Sequence, residues 1–245
     1  MHLGFTSERL AQLARMERWH FWFVGRRALI DGLLDRHVVR PEPRVLDLGC
    51  GTGLMLQRLE RRGCRAVGVD MRPEGLRHLR QASPGSPTVQ ADATHLPFAG
   101  DSFDALLLLD IVEHVDDRAL LAEVRRVLRP GGVAVLTVPA FPWLWSYRDE
   151  AAGHLRRYTR RGLMGSLAGA GLAIREVRYY QFLLFPLVVV SRWLGRRGAA
   201  MRDAEERPGG ALNALLSRVN RAEAALGRFV PWPWGSSLAA VCVKE

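Results

Sequence analysis

The chain has almost no lysine. Its Lys+Arg total is 35, yet Lys244 is the sole lysine, and the formal net charge is +10. So complete a preference for arginine reads as genome composition or heat adaptation, not as a binding device. The excess charge still admits an acidic partner such as nucleic acid or an anionic membrane surface. Blocks of consecutive basic residues with interleaved aromatics are missing, which argues against nucleic acid. Cysteine is scarce too: Cys50, Cys64 and Cys242 have no metal-ligand spacing and make no obvious disulfide framework. Long hydrophobic runs are absent; the longest, Phe182 to Val190, is too short to span a bilayer and is broken by Pro186. The N-terminal stretch is charged throughout, with no apolar segment ahead of a small-residue cleavage site. A reduced, cytoplasmic protein is therefore expected. Repeats and low-complexity tracts are also lacking. At 245 residues and 48% hydrophobic content the chain can bury one substantial core, so one domain with an insertion is the expectation.

What is present is one organising stretch, Val45-Leu46-Asp47-Leu48-Gly49-Cys50-Gly51-Thr52-Gly53. Val45 to Leu48 is a short apolar run with a β-branched start, bounded upstream by Pro41 and Pro43, so a buried strand is predicted. Gly49, Gly51 and Gly53 remove side chains at every second position, which lets a ligand lie against bare backbone. Leu54 to Leu59 follows with helix formers, and Gly63 is the expected stop. Strand, glycine turn and helix in that order aim amide groups and a helix N-terminus at whatever rests on the turn. A nicotinamide fingerprint needs G-x-G-x-x-G, and here the third glycine comes one residue early. Asp47, directly before the turn, suits a ligand with a cationic end, because its carboxylate can accept from an ammonium.

The pattern D-x-G-x-G-x-G resembles the cofactor loop of class I S-adenosylmethionine-dependent methyltransferases. That resemblance implies S-adenosyl-L-methionine as cofactor, held around Asp47, Gly49, Cys50, Gly51 and Gly53. It also implies an α/β, Rossmann-like fold: a seven-stranded, mostly parallel sheet with helices on both faces and an antiparallel last strand. Downstream spacing agrees. Ala66 to Asp70 is a second apolar strand, and Asp70 follows the glycine loop at about the ~20 residues where a carboxylate meets a ribose diol. The plainer reading is that Asp70 caps the next helix, whose Pro73 fits a first turn. Met71 beside it offers a soft apolar surface to an adenine. A third strand starts at Thr88 and runs into Ala91-Asp92-Ala93, where the resemblance gives Asp92 the adenine amine. Ala93 is assigned to the cofactor with it. Leu96-Pro97-Phe98 and Asp101-Ser102-Phe103-Asp104 lead into the apolar strand Ala105 to Leu109. In combination these resemble the small-molecule branch related to the methyltransferases of quinone biosynthesis, over most of residues 44 to 139.

Asp110-Ile111-Val112-Glu113-His114 falls at the C-terminal end of that fourth strand, where α/β sheets place ligands. Asp110 is assigned to the cofactor. Nucleobase amino-methyltransferases carry Asp/Asn-Pro-Pro-aromatic here, and its absence argues against a DNA base as acceptor. The Asp, Glu and His resemble a set that some quinone O-methyltransferases use for magnesium. Glu-His-Val also occurs in relatives without metal, where the His only orients the loop, so no metal ligand is assigned. A helix capped by Asp116 or Asp117 runs to Leu128 with Glu123 and Arg126 exposed, and Arg129 to Gly132 makes a tight turn into a strand over Val133 to Val138.

Past the aromatic loop Phe141 to Ser146, the run Gly153-His154-Leu155-Arg156-Arg157-Tyr158 concentrates a base, two cations and a phenol beside the cofactor site. His154 can remove a proton near neutral pH. Arg157 can hold a carboxylate or phosphate through two parallel hydrogen bonds. Tyr158 is the third catalytic candidate, or else packs on the sheet. The chain divides into an N-terminal helical lid (1–40, with Phe23 and Arg26 facing the cofactor), a cofactor-binding core (41–180), an apolar helical insertion (181–236) and a last strand (237–245). The insertion holds the Phe182 to Val190 run, a polar break near Arg202 to Gly210, a helix from Ala211 to Phe229, then Trp232 and Trp234. It is either a buried core helix or a greasy wall for a lipid-linked acceptor or a membrane surface. Methyl transfer to a small or lipid-like acceptor, at oxygen or carbon, is the expected function. An RNA methyltransferase or RNA-binding module, and a non-catalytic cofactor-binding scaffold, are the alternatives.

Overall fold

The computed structural model describes residues 7–195 and 208–245. Seven strands form one sheet in the order β3-β2-β1-β4-β5-β7-β6. They are β1 (Arg44–Leu48), β2 (Arg65–Asp70), β3 (Thr88–Gln90), β4 (Phe103–Leu109), β5 (Leu128–Pro139), β6 (Ala173–Tyr180) and β7 (Ser237–Val243). β1 to β5 pair in parallel, and β7 runs antiparallel between β5 and β6. β1 and β4 are nearly continuous apolar runs because both faces of a central parallel strand are covered. Alternate side chains go to opposite layers, Leu46, Leu48, Leu106 and Leu108 to one and Val45, Ala105 and Leu107 to the other.

The helices are α1 (Ser7–Met16), α2 (Phe21–His37), α3 (Leu54–Arg61), α4 (Pro73–Ala82), α5 (Asp117–Val127), α6 (Tyr147–Ala152), α7 (Arg160–Gly169), α8 (Phe185–Gly195) and α9 (Gly210–Leu226). Helix α9 packs on α2 through a polar seam. The Asn220 amide nitrogen donates to the Phe21 carbonyl at 3.0 Å, and the Phe21 amide donates to Asn213 Oδ1 at 2.9 Å. Backbones come so close there that a Cβ on Gly25 would sit 2.7 Å from Asn220 Cβ. Glu223, also buried on α9, accepts the Phe182 and Leu183 amides at 3.0 and 2.9 Å and so seats the approach to α8.

Three local expectations are corrected. β5 begins at Leu128, paired with Phe103, so Arg129 to Gly132 lies within an irregular strand and not in a separate turn. Glu123 is half-buried, not exposed, because its carboxylate accepts the Leu96 amide at 2.7 Å. Within the helical lid expected over 1–40, the helix is divided at residues 17 to 20, where His20 starts α2 by accepting from the Trp22 amide. The polar break near Arg202 to Gly210 lies mostly outside the described residues. Among the described residues no helix is long and apolar enough to cross a membrane.

Candidate active site

The C-terminal ends of β1, β2, β4 and β5 open on one cavity of about 460 Å³. Its floor is the glycine turn, tied to β2 by the Gly49 and Cys50 amides, which donate to the Val69 carbonyl at 2.8 and 3.0 Å. Gly49, Cys50 and Gly51 line the cavity, but Gly53 does not. Gly53 has φ +83, and a Cβ there would lie 2.4 Å from Leu79 of α4, so helix packing and not ligand approach demands this glycine.

Asp47 is 2% exposed and its Oδ2 has no partner. Burial pushes its carboxyl up to about 7, against the relief given by the Arg26 charge. Asp70, at the end of β2, lines the cavity. Its Oδ2 accepts the Gly51 amide at 2.9 Å and its Oδ1 accepts the Arg72 amide, at the start of α4, at 2.8 Å. Met71, Asp92 and Ala93 continue the same wall. Asp92 is held below the usual carboxylate range by the Thr94 amide and hydroxyl.

The N-terminal helices cover this end. The Glu17 carboxylate accepts from the Thr52 hydroxyl on the glycine turn, and Trp22 and Phe23 line the cavity. Arg26 is paired with Asp110, whose other oxygen accepts the Thr137 hydroxyl at 2.9 Å. Asp110 thereby bridges α2 and β5 at the cavity wall.

Helix α6 and the residues after it supply another part of the lining. Ser146 and Asp149 form a reciprocal capping box, and Asp149 is fully buried. Asp149 Oδ1 accepts from His154 Nδ1 at 2.9 Å and from Arg157 Nε at 2.7 Å. Burial alone would push the Asp149 carboxyl up, but His154, Arg157 and the Ser146 amide together hold it well below the usual range. With Nδ1 engaged, His154 presents Nε2, which stands 3.9 Å from Glu113 Oε1. Glu113 is fully buried, both its oxygens lack partners, and burial plus the Asp110 charge pushes its carboxyl well above the ordinary value. His114 is lowered to about 4 by burial and the His154 charge; the two rings lie 4.8 Å apart. Glu113, His114 and His154 each offer an atom within 4.8 Å of the others, a spacing that suits a divalent cation. His154 belongs to that set and Asp110 does not.

Two catalytic candidates change standing. Tyr158 is off the cavity: it is buried in the main core and its hydroxyl donates to Asp117 Oδ2 at 2.9 Å. Arg157 does line the cavity, yet its Nε is on Asp149 and its Nη1 on the Ala140 carbonyl at 2.9 Å, so much of its fork braces the loop. Sequence reasoning missed Asp149, although Ser146-x-x-Asp149 is a legible capping spacing. It also missed Arg148 and Arg192, which line the cavity too. No sequence signal marks them as lining residues.

Residues 46–136 match the family described as a methyltransferase domain. An uncharacterized methyltransferase of Mycobacterium tuberculosis is 42% identical over 113 residues, 46% of this chain and 44% of that protein. A ubiquinone biosynthesis O-methyltransferase of Cereibacter sphaeroides is 34% identical over 110 residues, 41% of this chain and 44% of that protein. The chain thus spans less than half the length of these relatives. Among solved structures, a chain from a Haloferax volcanii complex of the Trm112 methyltransferase activator superposes with a TM-score of 0.68 at 22% identity, covering 98% of this chain and 97% of that one. A TehB-like SAM-dependent methyltransferase from Corynebacterium glutamicum gives 0.60 at 18% identity, covering 98% of each chain. At such identities these likenesses speak for the fold.

Proposed function

We propose that this chain, whose core is a class I S-adenosylmethionine-dependent methyltransferase domain, moves a methyl group from that cofactor to a small or lipid-like acceptor, at oxygen or carbon. The observation that carries the reading is the cavity itself. An unpartnered buried carboxylate, Asp47, a glycine turn and an Asp149–His154 pair all line it. When bound, the cofactor's sulfonium supplies an already activated methyl group, which leaves the protein to position the partners and accept a proton. Asp47 would accept from the cofactor's ammonium, Asp70 would take the ribose hydroxyls, and Met71, Asp92 and Ala93 would receive the adenine. For a hydroxyl acceptor, His154 Nε2 would take the hydroxyl proton as the methyl group leaves sulfur for the acceptor oxygen, with S-adenosylhomocysteine as the other product.

Calorimetry with S-adenosylhomocysteine tests the cofactor end. Asp70→Ala is expected to weaken binding by about 1.5–3 kcal/mol, the loss of a charge-assisted contact. Unchanged affinity in that variant would reject the ribose assignment. Binding without any methylated product in cell-envelope or quinone extracts would favour the scaffold reading, and salt-dependent RNA affinity the RNA one.

A membrane contact has its own support. Helix α8 turns Val188 inward, with Leu184 just before it also buried, and leaves Leu187, Val190 and Trp193 exposed at 52%, 51% and 55%. Exposed Leu212, Leu215 and Leu226 on α9 are accompanied by outward Arg218 and Arg221, while the one acid of α9, Glu223, is buried. An apolar face with arginines and no outward acid fits an anionic bilayer surface. Wild type is expected to float with liposomes containing anionic lipid, and Leu187→Glu combined with Trp193→Glu to stay behind with its thermal midpoint unchanged. Equal flotation of the two, or none by wild type, would remove the membrane. The buried Leu184 and Val188 are the wrong positions for this test, because charges there act on folding.

A further inference from the structure

Helix α9 is built inside out. Its buried positions are mostly polar, Asn213, Ser217, Asn220 and Glu223 beside Leu216, while Leu212, Leu215 and Leu226 face outward. An ordinary surface helix has the opposite arrangement. The polar face is used on α2. Asn213 accepts the Phe21 amide at 2.9 Å and donates to the Trp19 carbonyl at 2.8 Å, and Asn220 donates to the Phe21 carbonyl at 3.0 Å. Phe21, Leu184 and Leu216 close a small apolar cluster of their own against these bonds. Glu223 joins the approach to α8 to the same unit through the Phe182 and Leu183 amides. Hydrogen bonds fix both distance and direction, and Asn220 stands too near Gly25 for even a methyl group between them. Helix α9 therefore cannot shift without α2. The following residues of α2 belong to the cofactor cavity. Trp22, Phe23, Arg26 and Arg27 line it, and Arg26 ties α2 to Asp110, just past β4.

We propose that α2 couples membrane and cofactor: seating the outward faces of α8 and α9 on an anionic bilayer raises affinity for the cofactor, and bound cofactor raises affinity for the bilayer. This rests on the methyl-transfer reading and the membrane contact above, and adds the regulation of one by the other. A ligand in the cavity touches α2 as well as the strand ends, so its binding fixes α2, and α9 with it. A bilayer under α8 and α9 restrains the same helix through the clamp at Trp19 and Phe21. Whichever ligand arrives second finds part of the ordering already done. Linkage makes the effect reciprocal, so the factor by which vesicles tighten the cofactor equals the factor by which cofactor tightens the vesicles. The protein then holds its cofactor most tightly at the membrane surface.

Calorimetry with S-adenosylhomocysteine, run with and without vesicles of phosphatidylglycerol and phosphatidylcholine, tests the coupling. Affinity is expected to rise about fivefold or more with the vesicles. Vesicle partitioning, read by flotation, should rise by the same factor when S-adenosylhomocysteine is saturating. Amide hydrogen exchange over Phe21–His37 should slow when vesicles alone are added. Asn220→Ala removes part of the clamp and should bring the coupling factor toward one. Its affinity for S-adenosylhomocysteine without vesicles, and its flotation without ligand, should stay within about twofold of wild type. Equal S-adenosylhomocysteine affinity in free and vesicle-bound wild type overturns the coupling and leaves both binding readings standing, as does full coupling in folded Asn220→Ala. Absence of flotation removes the membrane contact, absence of S-adenosylhomocysteine binding removes the methyl-transfer reading, and either removes this inference. Should Asn220→Ala lose its thermal midpoint, the two wild-type factors and the hydrogen exchange decide alone.

Discussion

Replacing His154 with alanine is expected to lower turnover by about 10²–10⁴-fold, the usual share of a positioned general base. Affinity for S-adenosylhomocysteine should stay close to wild type, because His154 comes from the segment after α6 and not from the glycine turn or the ends of β1 and β2. The size of the effect follows from how the imidazole is set. Asp149 takes Nδ1–H at 2.9 Å, which selects the tautomer with a lone pair on Nε2 and steadies the imidazolium formed after proton transfer. Asp149 is itself held by the Ser146 amide and by Arg157, so it stays ionised and in place. Asp149→Asn should reproduce part of the loss through the wrong tautomer, at wild-type cofactor affinity. Turnover of His154→Ala equal to wild type at every pH measured would exclude the role.

The second large effect is a pH dependence of cofactor affinity. Asp47 is pushed up to about 7 by burial, partly relieved by Arg26, with the Asp70 and Glu17 charges pushing the same way as burial. A bound ammonium favours the ionised form, so binding below pH 7 must first expel a proton. Affinity should therefore rise as pH climbs toward about 7, by up to about tenfold per unit on the acid side, and level off above it. Asp47→Asn should flatten this profile and cost about 1.5–3 kcal/mol of binding at pH 8, and less at pH 5.5. Glu17 and Asp70 are also raised by burial, so the variant is needed to identify the group. Calorimetry in buffers of different ionisation enthalpy counts the proton released. A slope surviving unchanged in Asp47→Asn would move the effect to one of those neighbours.

The sequence by itself determined the parts whose information is local. The apolar run Val45 to Leu48, the alternating glycines and the acid ending β2 lie within 26 residues, and backbone conformation with strand periodicity specifies them. The mostly parallel sheet with its antiparallel last strand was implied by the family resemblance that those motifs carry, and the pairing of β7 between β5 and β6 agrees with it. Tertiary structure alone decided which side chains share the far end of the cavity. Tyr158 and Arg157 are adjacent in sequence and sit in an irregular segment, so nothing local says which one faces the cavity; pairing of Tyr158 with Ala140 and Asp117 turns the phenol inward. Gly53 looked like part of the ligand turn, and only the approach of Leu79 from α4 shows that packing requires it. Arg192 on α8 stands 46 residues from Ser146, which caps α6, and donates to its hydroxyl. Such contacts depend on where whole helices dock, and docking is set by the summed burial of many side chains, which no short stretch of sequence encodes.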